Sequence, residues 1–180
     1  TLSVDIVDGN GSPVASPTMG MATTSFSFVY QNSSGTFGTS TQKVRVSNLA
    51  SNPQWSLSLA ANDGPTAFWD GATTDYDFND PTANAQDGAD SDSLGGRLTL
   101  DPSQASVSPQ SGCSTDGISL GSLSGFAEGT VDSLTLVSSG SESDLDCYWD
   151  IVGISVSQTI PAEQATDSYS LDMTLTITAI

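Results

Sequence analysis

The sequence predicts an all-β protein, a single antiparallel β-sandwich or jelly roll of about nine strands. Three observations carry this. Apolar residues recur at every second position in run after run. Clusters of Gly, Asn, Asp, Ser and Pro punctuate those runs. Sustained helical spacing is absent, and Ser, Thr and Gly are too frequent for stable helices. At 180 residues, with 36% of them apolar, the chain fits one domain with one core.

Taken in order, the opening run TLSVDIV puts Leu2, Val4 and Ile6 on one face of a strand, because successive side chains alternate across a sheet. A glycine-rich stretch, residues 9–13, follows and reads as a flexible hinge. Phe26, Phe28 and Tyr30 alternate with Ser and Val in a second run. Val44 and Val46 alternate with Lys43 and Arg45, and Trp55, Leu57 and Leu59 with serines. Leu98 and Leu100, then Leu134 and Leu136, are shorter versions. Cys147, Trp149 and Ile151 share one face of a further run. The strongest alternation comes last, with Tyr169, Leu171, Met173, Leu175 and Ile177 at every second position. Trp55 and Trp149 occupy inward positions and read as core.

The charge of −18 comes from 21 acidic residues against Lys43, Arg45 and Arg97. That balance excludes nucleic acid as a partner, which requires a basic stripe, and disfavours anionic membrane surfaces. No apolar run is long enough for a membrane helix, so no membrane insertion is expected. With only 13% charged residues the surface must be mostly Ser, Thr, Asn, Gln and Gly, a secreted profile. The chain begins at Thr1, as an extracellular protein does after signal-peptide cleavage. Cys113 and Cys147 read either as one disulfide formed in an oxidising compartment or as two reduced buried thiols.

Catalysis is not expected. The chain has no histidine, the usual general base and transition-metal ligand. Its serines lack an obvious activating base, and no signature singles out a carboxylate pair.

The acidic stretch DYDFNDPTANAQDGADSD points to binding instead. Asp75, Asp77 and Asn79 sit at alternate positions and Asp80 follows. Asp87, Asp90 and Asp92 form a second group. Hard oxygen donors spaced in this way converge on calcium, which takes six to eight such ligands. The competing reading is a solvated acidic loop. Phe68, Trp69, Tyr76 and Phe78, in or beside the stretch, favour a packed loop that must neutralise its aspartates.

Trp55-Ser56-Leu57 resembles the proximal Trp-x-Leu motif of the WxL surface proteins of Gram-positive bacteria. Tyr169 with Met173-Thr174-Leu175 is similar to that family's distal motif, with Leu175 where the family has tryptophan. The resemblance implies a secreted β-fold held noncovalently to the cell wall. The overall layout is similar to camelysin-type biofilm fibre subunits, which implies a first strand lent to a neighbour.

Two functions follow as expectations. In the first, residues 1–8 are an N-terminal donor strand and residues 9–180 the β-sandwich domain. Leu2, Val4 and Ile6 then enter an identical subunit and build a homopolymer: a pilus-like or biofilm filament, or a surface layer. The opening segment is equally readable as the first strand of its own sheet. In the alternative, the chain is a secreted WxL-like module binding cell wall or glycan, with Trp69 and Tyr76 stacking on sugar.

Overall fold

Alternating sequence becomes strand wherever a partner of matching register lies alongside. The computed structural model describes residues 1–82 and 93–180. Its strands are β1 (Leu2–Val7), β2 (Gln31–Phe37), β3 (Lys43–Asn48), β4 (Trp55–Ala61), β5 (Phe68–Trp69), β6 (Tyr76–Asp77) and β7 (Arg97–Asp101). After them come β8 (Ser106–Pro109), β9 (Ile118–Leu120), β10 (Ser124–Gly125), β11 (Leu134–Ser139), β12 (Cys147–Val152), β13 (Ile154–Ile160) and β14 (Met173–Ala179). A single 3-10 turn at Pro102–Gln104 is the only helical piece among the described residues. The all-β class is as predicted.

Every strand pairing is antiparallel, in the orders β1-β3-β12-β8, β10-β7-β13-β2 and β14-β4-β11-β9, plus the small β5-β6 ribbon. The strand number exceeds the expected nine because long paths are interrupted. β12 and β13 are one path broken at Gly153, β7 and β8 are split by the 3-10 turn, and β2 and β3 by residues 38–42. The first two four-stranded sheets are therefore two halves of one bent sheet. Gly38 makes the bend: its φ is +78°, and a Cβ there would lie 2.8 Å from the Ile151 carbonyl oxygen. Its own carbonyl accepts the Gly153 N–H at 2.8 Å, holding the two broken paths together.

The core lies between this sheet and β14-β4-β11-β9. Trp55 and Leu57 from one side meet Val44, Val46, Trp149 and Ile151 from the other, all fully buried. The two tryptophan rings are 5.8 Å apart. Burying each such side chain is worth about 1.5–3 kcal/mol, more for the indoles. A register shift between Thr135 and Val137 turns both Leu136 and Val137 inward, a bulge that the Leu134/Leu136 alternation does not reveal.

Two predicted strands are corrected. Phe26, Phe28 and Tyr30 lie in an irregular segment ahead of β2, with Phe28 76% exposed. β2 starts only at Gln31 because its partner β13 ends at Ile160, and Pro161 there has no N–H to extend the ladder. The C-terminal strand likewise begins at Met173, leaving Tyr169 in the loop before it.

Candidate functional site

The N-terminal segment is an edge strand of its own chain's sheet. β1 pairs with β3 over six residues, from Leu2↔Asn48 to Val7↔Lys43. Residues 8–12 form a closed turn and not the expected flexible hinge. The Asp8 carboxylate accepts the N–H groups of Asn10 (2.8 Å) and Ser12 (2.9 Å), and the Asp8 N–H donates to Ser12 O. Bonding from Ser12 first, against a small desolvation effect and then with Asn10 and Gly11, holds the Asp8 carboxyl below the usual range.

β1 nevertheless fills its seat loosely. Leu2, Val4 and Ile6 are only half-buried, while their neighbours Val44 and Val46 are fully buried. β14, the edge strand facing β1, also leaves Met173, Leu175 and Ile177 half-buried. Between the two edges runs a groove of about 1170 Å³, lined by Val4, Ile6, Phe37, Leu100, Met173 and Leu175. It exceeds the usual size of a small-molecule pocket, about 300–1,000 Å³.

The acidic stretch divides. Asp75 is half-buried and its carboxylate accepts the Gly71 N–H (3.0 Å), while the Asn79 side-chain amide donates to Pro65 O (2.7 Å). These bonds occupy one carboxylate oxygen of Asp75 and the amide nitrogen of Asn79. Like Asn79, Asp77 and Asp80 are buried, 1% and 0% exposed. Their N–H groups donate to the consecutive carbonyls of Gly95 (2.9 Å) and Gly96 (3.0 Å), and Leu98 N–H to Phe78 O (2.6 Å). This straps residues 77–80 to 95–98. Gln158, itself buried, donates to Asp77 O (2.9 Å). Asp87, Asp90 and Asp92 lie outside the described residues.

The two aromatics assigned to sugar stacking are stacked on each other. The Trp69 and Tyr76 rings are 5.9 Å apart and inclined by 14°, and Tyr169 meets Tyr76 edge-on at 4.8 Å. Trp69 Nε1 donates to Gln158 Oε1 (2.9 Å). Tyr76 is only 6% exposed, and burial, then the Tyr169 hydroxyl, pushes its phenol well above the ordinary range. Tyr76 therefore has no free face for a ligand. Trp69 is half-buried and borders a smaller pocket of about 370 Å³ with Gln164 and Tyr169.

Cys113 and Cys147 form the disulfide. Asp144 lies close to both sulfurs, but they are bonded to each other, and its carboxylate accepts the Ser114 N–H (2.6 Å). This group is a braced crosslink and not a metal site. Trp55-x-Leu57 and the distal segment are hydrogen-bonded neighbours, since β4 and β14 pair from Met173↔Ala61 to Ala179↔Trp55. Both Trp55 and Leu57 point into the core, so neither presents itself to a partner.

The sequence reading missed one hub. Asp150 accepts from Arg45 Nε (2.6 Å) and Nη2 (2.9 Å) and from Lys43 Nζ (3.1 Å), and Arg45 also lies 3.9 Å over the Tyr148 ring. The only signal was two cations alternating on one strand and one acid on another. Arg97 donates to Phe126 O (2.9 Å) and Gly125 O. All three cations therefore serve internal contacts, and the surface charge is left almost wholly negative.

No family model matches the chain, and no curated protein or solved structure does either.

Proposed function

We propose that this chain is a non-catalytic structural subunit of an extracellular filament or surface layer, joined to identical copies by exchange of β1. The supporting observation is the edge seat of β1, whose half-buried apolar face borders an open apolar groove. An edge strand bonded on one side only can be replaced by the same strand from a neighbour, because every contact it makes is re-formed in trans. Head-to-tail exchange does not close on itself, so it propagates. The disulfide accords with an oxidising, extracellular setting.

The test is a cysteine pair on the outward face of the β1–β3 ladder, Ser3→Cys with Ser47→Cys, which stand opposite each other. Directly opposed positions on antiparallel strands are close enough for a disulfide. Oxidising assembled material should yield covalent ladders on a denaturing gel, and deleting residues 1–8 should abolish assembly seen by electron microscopy. Crosslinks confined within single chains, or assembly that survives the deletion, overturn the proposal.

A second reading, a wall- or glycan-binding module of WxL type, draws support from the pocket beside Trp69. Quenching of tryptophan fluorescence by cell-wall polysaccharide, lost in Trp69→Ala, would favour it over assembly.

A further inference from the structure

Asp80 is fully buried, yet one of its two carboxylate oxygens has no partner among the described residues. Oδ1 is satisfied by the Thr82 N–H (2.8 Å) and hydroxyl (2.6 Å), whereas Oδ2 is buried and unbonded. Two other buried polar atoms of the described residues lack a partner outside the acidic stretch: the Trp55 indole Nε1, a neutral donor, and the Ser143 hydroxyl, also neutral. Only carboxylates carry a charge that burial makes costly.

No protein cation answers that charge. The ion pairs among the described residues both belong to Asp150. Arg97, whose backbone bridges Asn79, directs its guanidinium to the carbonyls of Phe126 and Gly125. An isolated buried carboxylate costs several kcal/mol unless it is neutralised or coordinated. A second buried carboxylate, Asp77, lies three residues away on the same strapped segment. The Asp77 carboxylate accepts the N–H groups of Phe78 (2.6 Å) and Asn79 (3.1 Å), so the charge left to answer is that of Asp80. Rigid, hard oxygen donors without nitrogen or sulfur ligands select a cation such as calcium over a transition metal.

We propose that Asp80, through Oδ2, anchors a bound calcium ion at the strapped segment 77–80. The ion neutralises the buried charge and adds the bond that Oδ2 lacks. The site is structural, and it does not depend on whether β1 is exchanged.

The test uses the whole chain, stripped with chelator and titrated with calcium chloride at pH 7. Calcium at a hundredfold excess over its dissociation constant should raise the melting temperature by about 5–10 °C. Asp80→Asn keeps the shape but not the charge, and should lose that shift and weaken calorimetric affinity at least tenfold. The exposed Glu142→Gln should respond like the unaltered chain. Should Asp80→Asn fail to fold, terbium luminescence sensitised by Trp69 or Tyr76, and its displacement by calcium, gives a readout on the unaltered protein. The proposal fails if calcium leaves melting unchanged and terbium is not sensitised. It also fails if Asp80→Asn answers calcium as the unaltered chain does.

Discussion

Asp150 shows how much one side chain can hold when two strands bring cations to it. Lys43 and Arg45 sit on β3, Asp150 on β12, and the register Asp150↔Arg45 puts acid and guanidinium directly opposite. Burial alone would raise the Asp150 carboxyl, but bonds from Arg45 and then Lys43 outweigh it and hold the group below its ordinary range. The same bond raises the Arg45 guanidinium. Asp150→Asn keeps the shape and removes the charge, and should cost about 1.5–3 kcal/mol, the range for hydrogen bonds to charged groups. That lowers the melting temperature by about 3–12 °C for a chain of this size. The sign of the pH dependence follows from the lowered value. The stabilisation is fully present above the unfolded carboxylate value of about 3.9 and is lost as pH falls through the lower folded value. The gap in melting temperature between the parent and Asp150→Asn should thus be constant near neutrality and shrink on acidification below about pH 4. A gap independent of pH would show that charge is not what Asp150 contributes.

Among the elements, β1 and the turn after it set the balance between a strand kept and a strand given away. The turn is latched by Asp8 and shaped by Gly11, whose φ is +87° and where a Cβ would lie 2.8 Å from Arg45 Nη1. Asp8→Ala removes two bonds to backbone N–H groups while leaving the β1 ladder intact. It should lower the melting temperature of the single chain and increase the share of multimers in size-exclusion chromatography. A variant that is destabilised but stays monomeric would separate the latch from assembly. The segment around Phe28 is a second element left open. Phe26 and Phe28 meet edge-on, 5.2 Å apart, and Val29 and Tyr30 beside them are also exposed.

For the molecule as a whole, charge and crosslink matter most. Like charges at this density oppose both folding and the approach of a second copy, and salt screens them within about 8 Å at physiological ionic strength. The disulfide counters this by restricting the unfolded chain. With its two cysteines 34 positions apart in the sequence, the chain-entropy model assigns it about 3–4 kcal/mol. Replacing Cys113→Ala and Cys147→Ala together should lower the melting temperature by about 6–16 °C without changing the far-ultraviolet circular dichroism of the folded chain. An unchanged melting temperature would mean the braces around it, Asp144 to Ser114 N and Trp149 Nε1 to Ser114 O, already fix the loop.

Alternation made most strands legible, because side chains of period two must divide between core and solvent whatever the partner. Trp55, Leu57, Val44, Val46, Trp149 and Ile151 are all in the core as their spacing implied. The same rule misread Phe26, Phe28 and Tyr30, since alternation marks a segment able to form a strand but not the presence of a ladder to join. The acidic stretch was legible as a cluster but not as a site: backbone straps to Gly95 and Gly96 decide that Asp80 is buried and that Asp75 is not. The sequence by itself thus determined the fold class, the core faces and the excess of negative charge, which depend only on composition and local period. The tertiary structure alone decided which strands are edges, where the groove opens, and which carboxylates lose water, because each depends on contacts between residues far apart in the chain.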